Sequence, residues 1–282
     1  MTVIRQQDLR PAAQTPAVKG SSFYLAMRIL PAEQREAMYA IYAFCRAVDD
    51  IADDPGPSAG RLLMLDRWRA DIAQLYDGGK ATALTRGLAR PIARFGLRKD
   101  DFFAVIDGMG MDVREEMCRP DWKRFELYCD RVASAVGRLS VRVFGIEEGN
   151  GIALSHHLGR ALQMTNVLRD LDEDAARGRL YLPAETLAGA GIDEVDIAKI
   201  LADPRLGQTC TEVASRAEIH FAEAAAVMAR CRSDSVRSPR IMASVYRALL
   251  RKLVKRGFTP PRDQVKPSKL QFLWAVLRYG VA

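Results

Sequence analysis

Apolar residues recur at intervals of three and four along nearly the whole chain, the period of a helix that buries one face. Met38, Ile41, Phe44, Cys45 and Val48 form one such stripe in PAEQREAMYAIYAFCRAVDDIADD. Pro31 stands at its first helical position with acids behind it, a favourable helix start, and DDPGPSAG ends it. The same reading predicts helices over 31–54, 60–77, 81–95, 97–112, 120–145, 152–174, 193–202, 206–232, 237–256 and 268–279. Another starts near Ser22 and breaks at Pro31, and GRLYLP is a loop. No segment sustains the period-two alternation of a half-buried strand. There is no fixed-period repeat, and the linkers are short. The pattern predicts an all-α fold with a single domain over 19–282, after a loose polar leader at 1–18.

One predicted helix carries a face that does not belong in a core. Gln163, Asn166, Asp170 and Asp174 are spaced by three, four and four residues, so a helix places them on one side. Burying two amides and two carboxylates is costly unless something satisfies them. Hard oxygen donors suit Mg²⁺ bridging to phosphates. A second acidic run, Asp49-Asp50-Ile51-Ala52-Asp53, follows Tyr42 and Arg46 on its own helix face. Two facing helices of this kind would hold two carboxylate pairs across a cavity. Either pair alone equally fits a solvated face, although like charges one turn apart destabilise a bare helix by about a few tenths of a kcal/mol. Tyr128, Val132, Val136 and Leu139 form an apolar stripe, and Ser155 and Gly159 precede Gln163 on its face. Small residues there leave room for a long apolar chain, or simply let two helices pack closely.

Composition narrows the picture. Of 282 residues, 49% are hydrophobic, enough for a sizeable core, and only 7% are aromatic. The net charge of +7 attracts anions. No basic ribbon interleaved with aromatics and no zinc pattern accompanies it, so nucleic acid is not an expected partner. The five cysteines include no CxxC pair and read as reduced thiols of a cytoplasmic protein. No apolar signal segment or membrane-length apolar run occurs. Asp112, in GMGMD, is either a helix-end acid or functional, and GMG is no dinucleotide fingerprint. His156 and His157 lack metal-ligand spacing and read as structural.

Three stretches together resemble the squalene/phytoene synthase family, over about residues 19 to 279. SFYLAMRILPAEQREAMYAIYAFCRAVDDIAD is similar to its first aspartate-rich region, YCDRVASAVG to its middle signature, and LGRALQMTNVLRDLDEDAARGRLYLP to its second aspartate-rich region. The resemblance implies an isoprenoid synthase helical bundle around a deep apolar cavity. It implies that Asp49, Asp53, Asp170 and Asp174, with Asn166, hold Mg²⁺ (or Mn²⁺) and the substrate diphosphates. Gln163 lines the same pocket, and Arg46 and Arg169 are basic partners of the two motifs. Ser22 and Phe23 match a flap that touches diphosphate, although Gly20 and Ser21 follow Lys19 where the family carries its basic residue. Tyr42, Tyr128 and Tyr246 match aromatic positions near the reacting carbons; otherwise they are core tyrosines. Arg177, Arg179 and Tyr181 follow the second motif and help close the site, the two arginines being otherwise solvated loop charges.

The reaction implied is head-to-head condensation of two prenyl diphosphates. The first region is most similar to short bacterial members of hopanoid-type squalene pathways. Those join two farnesyl diphosphates, stop at the cyclopropyl diphosphate and leave squalene formation to a separate downstream enzyme, so no NADPH is expected. Alternatives are phytoene formation from two geranylgeranyl diphosphates and complete squalene synthesis with NADPH. More distant are a chain-elongating synthase or terpene cyclase, because DDIAD matches DDxxD, and a non-enzymatic helical scaffold. Leu270, Leu273, Trp274 and Leu277 share one helix face with flanking cations, which either packs as a last core helix or rests peripherally on the inner face of the cell membrane.

Overall fold

The computed structural model describes residues 26–114, 117–266 and 268–280. Ser22, Phe23, Lys19 and the 1–18 leader lie outside them. Among the described residues the elements are helical, apart from one isolated parallel bridge between Cys118 and Leu180.

Helix α1 (Ala32–Asp53) begins after Pro31 and ends where Asp54, held extended, precedes Pro55. It buries Met38, Ile41, Phe44 and Val48, the stripe read from the sequence. Helices α2 (Ser58–Tyr76), α3 (Arg86–Phe95) and α4 (Lys99–Val113) pack around it. Phe44 meets Trp68 and Phe102 edge-on, at centroid distances of 5.4 and 5.1 Å. These helices share one apolar core with Ala135, Leu139 and Val143 of α6 (Ala135–Phe144).

The expected single helix over 120–145 is interrupted. Helix α5 (Trp122–Cys129), capped by the Asp121 carboxylate, passes into a π-helical turn at Asp130–Ser134 before α6 resumes. Glycines clasp that turn from both sides. A Cβ on Gly108 of α4 would lie 2.6 Å from Val132 Cγ1, and one on Gly159 would lie 2.7 Å from the Ser134 backbone. Glycine permits this close backbone approach.

Helix α7 (Glu148–Arg169) forms the centre of the second core, packing on α6, the π turn, α11 (Leu206–Ala229) and α12 (Arg237–Arg256). Short helices α8 (Leu171–Ala176), α9 (Ala184–Gly189) and α10 (Ile197–Ala202) complete this side. The apolar pattern predicts no element over 184–189, where α9 is only six residues long. Helix α13 (Lys269–Tyr279) lies on α12. Its Ala275, Phe272 and Val276 pack inward, whereas Leu270, Leu273, Trp274 and Leu277 are 53–78% exposed. No helix among the described residues is long and apolar enough to cross a membrane. The five cysteines carry no disulfide.

Candidate active site

A cavity of about 490 Å³ lies at the seam between the two cores. Met38 and Ile41 of the first core and Leu154 and Leu158 of the second are among its walls. The α7 wall from Leu154 to Asn166 spans about 18 Å at the helical rise. Val132, Val136, Ser155 and Gly159 line it, as the small-residue stripe suggested. Its larger polar groups gather toward one end, where Tyr42, Arg46, Gln163, Asn166, Arg169 and Tyr246 also face it. Ser238, Pro239 and Met242 of α12 complete the wall, and no motif announced them.

The acidic runs sit beside that polar end. The second run is not on one straight helix to 174, as the spacing implied. Asp170, at φ −102° and ψ 15°, ends α7, and Asp174 lies on α8. The backbone bonds from Asp170 to Asn166 (2.9 Å) and from Asp174 to Asp170 (2.8 Å) persist, so the break is a bend rather than a gap. The two runs then meet through the loop after α8. Arg179 donates to Asp53 Oδ1 at 2.7 Å and to the Ala52 carbonyl at 2.9 Å. Arg177 lies 3.8 Å from Asp53 and 3.2 Å from Glu173. Within the motifs, Arg46 pairs with Asp49 and Asp50, both at 2.7 Å, and Arg169 forks onto Asp170 at 2.7 and 2.5 Å.

The electrostatics are those of crowded, half-buried carboxylates. Burial raises the Asp49 pKa and the charges of Asp53 and Asp50 raise it further, against the opposing pull of Arg46. Asp174 is pushed up to about 7, chiefly by burial and then by Asp170. Burial works against the Arg169 and Arg179 cations, but their acidic partners outweigh it and raise both pKa values. Asn166 Oδ1 is buried without a hydrogen-bond partner, while its amide nitrogen reaches Gln163 at 3.4 Å. An orphaned acceptor beside carboxylates crowded enough to hold protons fits a hard divalent cation with oxygen ligands.

Tyr128 and Tyr181 are placed differently from Tyr42 and Tyr246. Both are buried behind the acidic runs, their rings stacked 4.9 Å apart, and both hydroxyls donate to Asp112, at 3.0 and 2.7 Å. Neither lines the cavity. Asp112 is thus the anchor of a buried hydrogen-bonded triad, a role its place at a helix end concealed. Burial raises its pKa to about 6, against the lowering effects of Arg179 and the two hydroxyls. The folded state therefore holds this proton more tightly than the unfolded chain, and the contribution of Asp112 to stability, on the order of 3 kcal/mol, is lost as pH rises from about 4 to about 6. Denaturation of metal-free Asp112→Asn across this range should show a decline smaller by that amount; curves parallel to the wild type's would refute the assignment.

The squalene/phytoene synthase family model matches residues 17–271. The chain belongs to that family. Among relatives in the family, it is 52% identical over 270 residues to the presqualene diphosphate synthase of Zymomonas mobilis, covering 95% of this chain and 92% of that one. With the presqualene diphosphate synthase of Rhodopseudomonas palustris it shares 51% over 271 residues, 96% and 97% of the two chains. Among solved structures, a dehydrosqualene synthase in complex with ligand superposes with a TM-score of 0.80 at 25% identity, covering 93% of this chain and 91% of that one. The family's all-α fold is the one observed.

Proposed function

We propose that the chain condenses two farnesyl diphosphates head to head into presqualene diphosphate, releasing one diphosphate. The observation that carries this reading is the Arg179–Asp53 ion pair, which joins the two acidic motifs beside the polar end of an apolar cavity. The identity of 51–52% to presqualene diphosphate synthases supports the choice of product.

Asp49, Asp53, Asp170, Asp174 and Asn166 would hold Mg²⁺, with Mn²⁺ as a substitute. When bound, the ion neutralises charge on the diphosphates and so favours departure of one of them. Arg46, Arg169, Arg177 and Arg179 already stand among these carboxylates and offer guanidinium donors to diphosphate oxygens. Gln163 orients Asn166. Loss of diphosphate from C1 of one substrate leaves an allylic cation, which the other substrate's double bond attacks. Loss of a proton then closes the cyclopropane. Tyr42 and Tyr246, on the cavity wall, present aromatic rings to that positive charge. Tyr128 and Tyr181, tied to Asp112, hold the wall behind the motifs.

Purified protein incubated with Mg²⁺ and farnesyl or geranylgeranyl diphosphate, without NADPH, should make presqualene diphosphate from the C15 substrate. Phytoene from the C20 substrate would select the alternative chain length. Squalene appearing only on addition of NADPH would show a complete squalene synthase, and no turnover would favour a scaffold. If the reaction stops at presqualene diphosphate, a separate enzyme must consume it.

The substrates carry lipid tails, and we extend the proposal to peripheral membrane contact through α13. Its exposed leucines and Trp274 have Arg278 stacked beside them, 5.0 Å from the indole. Anionic liposomes should float the wild-type protein, and Leu273→Glu with Trp274→Ala should abolish flotation. Flotation unchanged by the substitutions, or absent from the wild type, would remove α13 from membrane contact.

A further inference from the structure

The chain has three histidines, and the fold gathers all of them at one place. His156 and His157 lie on α7, and His220 lies on α11, the helix packed against it. One ring nitrogen from each lies within 4.8 Å of the others. His157 Nδ1 and His220 Nδ1 are 3.0 Å apart, and the three ring centroids are separated by 4.8–5.9 Å. None of the three lines the prenyl cavity.

We propose that His156, His157 and His220 form a binding site for a borderline transition-metal ion, of which Zn²⁺ is the type, that staples α7 to α11. Three imidazoles are a nitrogen donor set that suits Zn²⁺, Ni²⁺, Co²⁺ or Cu²⁺ and not the hard Mg²⁺ of the acidic motifs. Zinc–nitrogen bonds of about 2.0–2.1 Å in a tetrahedron place donors about 3.3 Å apart. The His157–His220 pair is already close to that spacing. His156, exposed and so freer to reorient, has at most about 1.5 Å to close. Its exposed side leaves the fourth position to water.

The surroundings favour neutral rings, the form that ligates. Burial lowers all three pKa values, with Arg160 adding to the effect at each, and His220 is brought down to about 4. The charges facing the cluster are Arg160 on α7 and Arg216 and Glu223 on α11, with Glu126 on α5 and Asp130 in the π turn. Arg160 is itself partnered by Asp130 at 3.4 Å and by Ser134 at 3.0 Å. The local field is therefore balanced and does not repel a cation outright.

The test uses the untagged full chain in excess Mg²⁺, which occupies the oxygen sites. Equilibrium dialysis against Zn²⁺, a Co²⁺ visible titration and thermal melts are compared across variants. We expect one equivalent of Zn²⁺, a tetrahedral Co²⁺ spectrum and a Tm raised by a few degrees. His156→Ala, which removes an exposed ring, should weaken binding about tenfold or more. His157→Gln with His220→Gln, which keeps polar groups at the partly buried positions, should abolish the bound equivalent, and Asp170→Ala should retain it. Absence of a stoichiometric equivalent, or one that survives in the double variant, would overturn the site.

Discussion

Alanine at Asp49 or at Asp170 is expected to cut diphosphate release by about a thousandfold or more while leaving the fold intact. Each removes a charged ligand from one side of the clamp. The remaining carboxylates cannot replace it, because each is already committed to its own place in the clamp, Asp53 also engaging Arg179. The fold should tolerate both changes. Asp49 is 41% exposed at its side chain and Asp170 25%, and neither anchors a core contact. Burial, more than Asp53 and Asp50, raises the Asp49 pKa against the pull of Arg46, so its charge is carried at a cost and Asp49→Ala should melt no lower than the wild type. Diphosphate release and circular dichroism melts are the measurements. Turnover within tenfold of wild type would sink the metal assignment.

The second large effect falls on stability. Gly159→Ala should lower Tm by about 3–5 °C, corresponding to a loss of about 2–3 kcal/mol. The added Cβ would meet Ser134 Cα and N at 2.7 Å and the Ala133 carbonyl carbon at 2.9 Å. These are backbone atoms and cannot swing aside as a side-chain tip would, so α7 must shift off the π turn. The gain in helix propensity, about 1 kcal/mol, offsets only part of the cost. Gly207→Ala on α11 is the control. Nothing lies within 4 Å of its added Cβ, and it should be neutral or slightly stabilising. A Gly159→Ala melt matching that of Gly207→Ala would show that the contact relaxes freely. Because Gly159 also lines the cavity, its product profile should be measured alongside.

The sequence exposed the features that rest on local periodicity. The α1 stripe, the all-helical class and the ends of most helices follow from apolar spacing and from Pro and Gly at the boundaries. The acidic residues were conspicuous because they interrupt that spacing. Features that depend on distant partners were less legible. The bend at Asp170 has neither glycine nor proline to mark it. Asp112 became an anchor only once Tyr181, 69 residues later, was folded onto it. His156 and His157 showed no ligand spacing because their third member is on another helix, 63 residues from His157. Arg179, readable as a solvated loop charge, proves to be the residue that ties the motifs together.

The π turn at Asp130–Ser134 has a consequence for how this helix can change. A π turn holds one residue more than an α-helical turn, so it amounts to a single-residue insertion accommodated in place. Because the turn itself takes up the extra residue, the faces before and after it keep the register of an unbroken helix. Deleting one residue between 130 and 134 would restore a plain α-helix with Val136, Gly137 and Ser140 still on the cavity wall. A residue gained or lost elsewhere in this helix, with no such turn to absorb it, would swing those side chains round by about 100°. The π turn is thus the place where this wall tolerates a change in residue count.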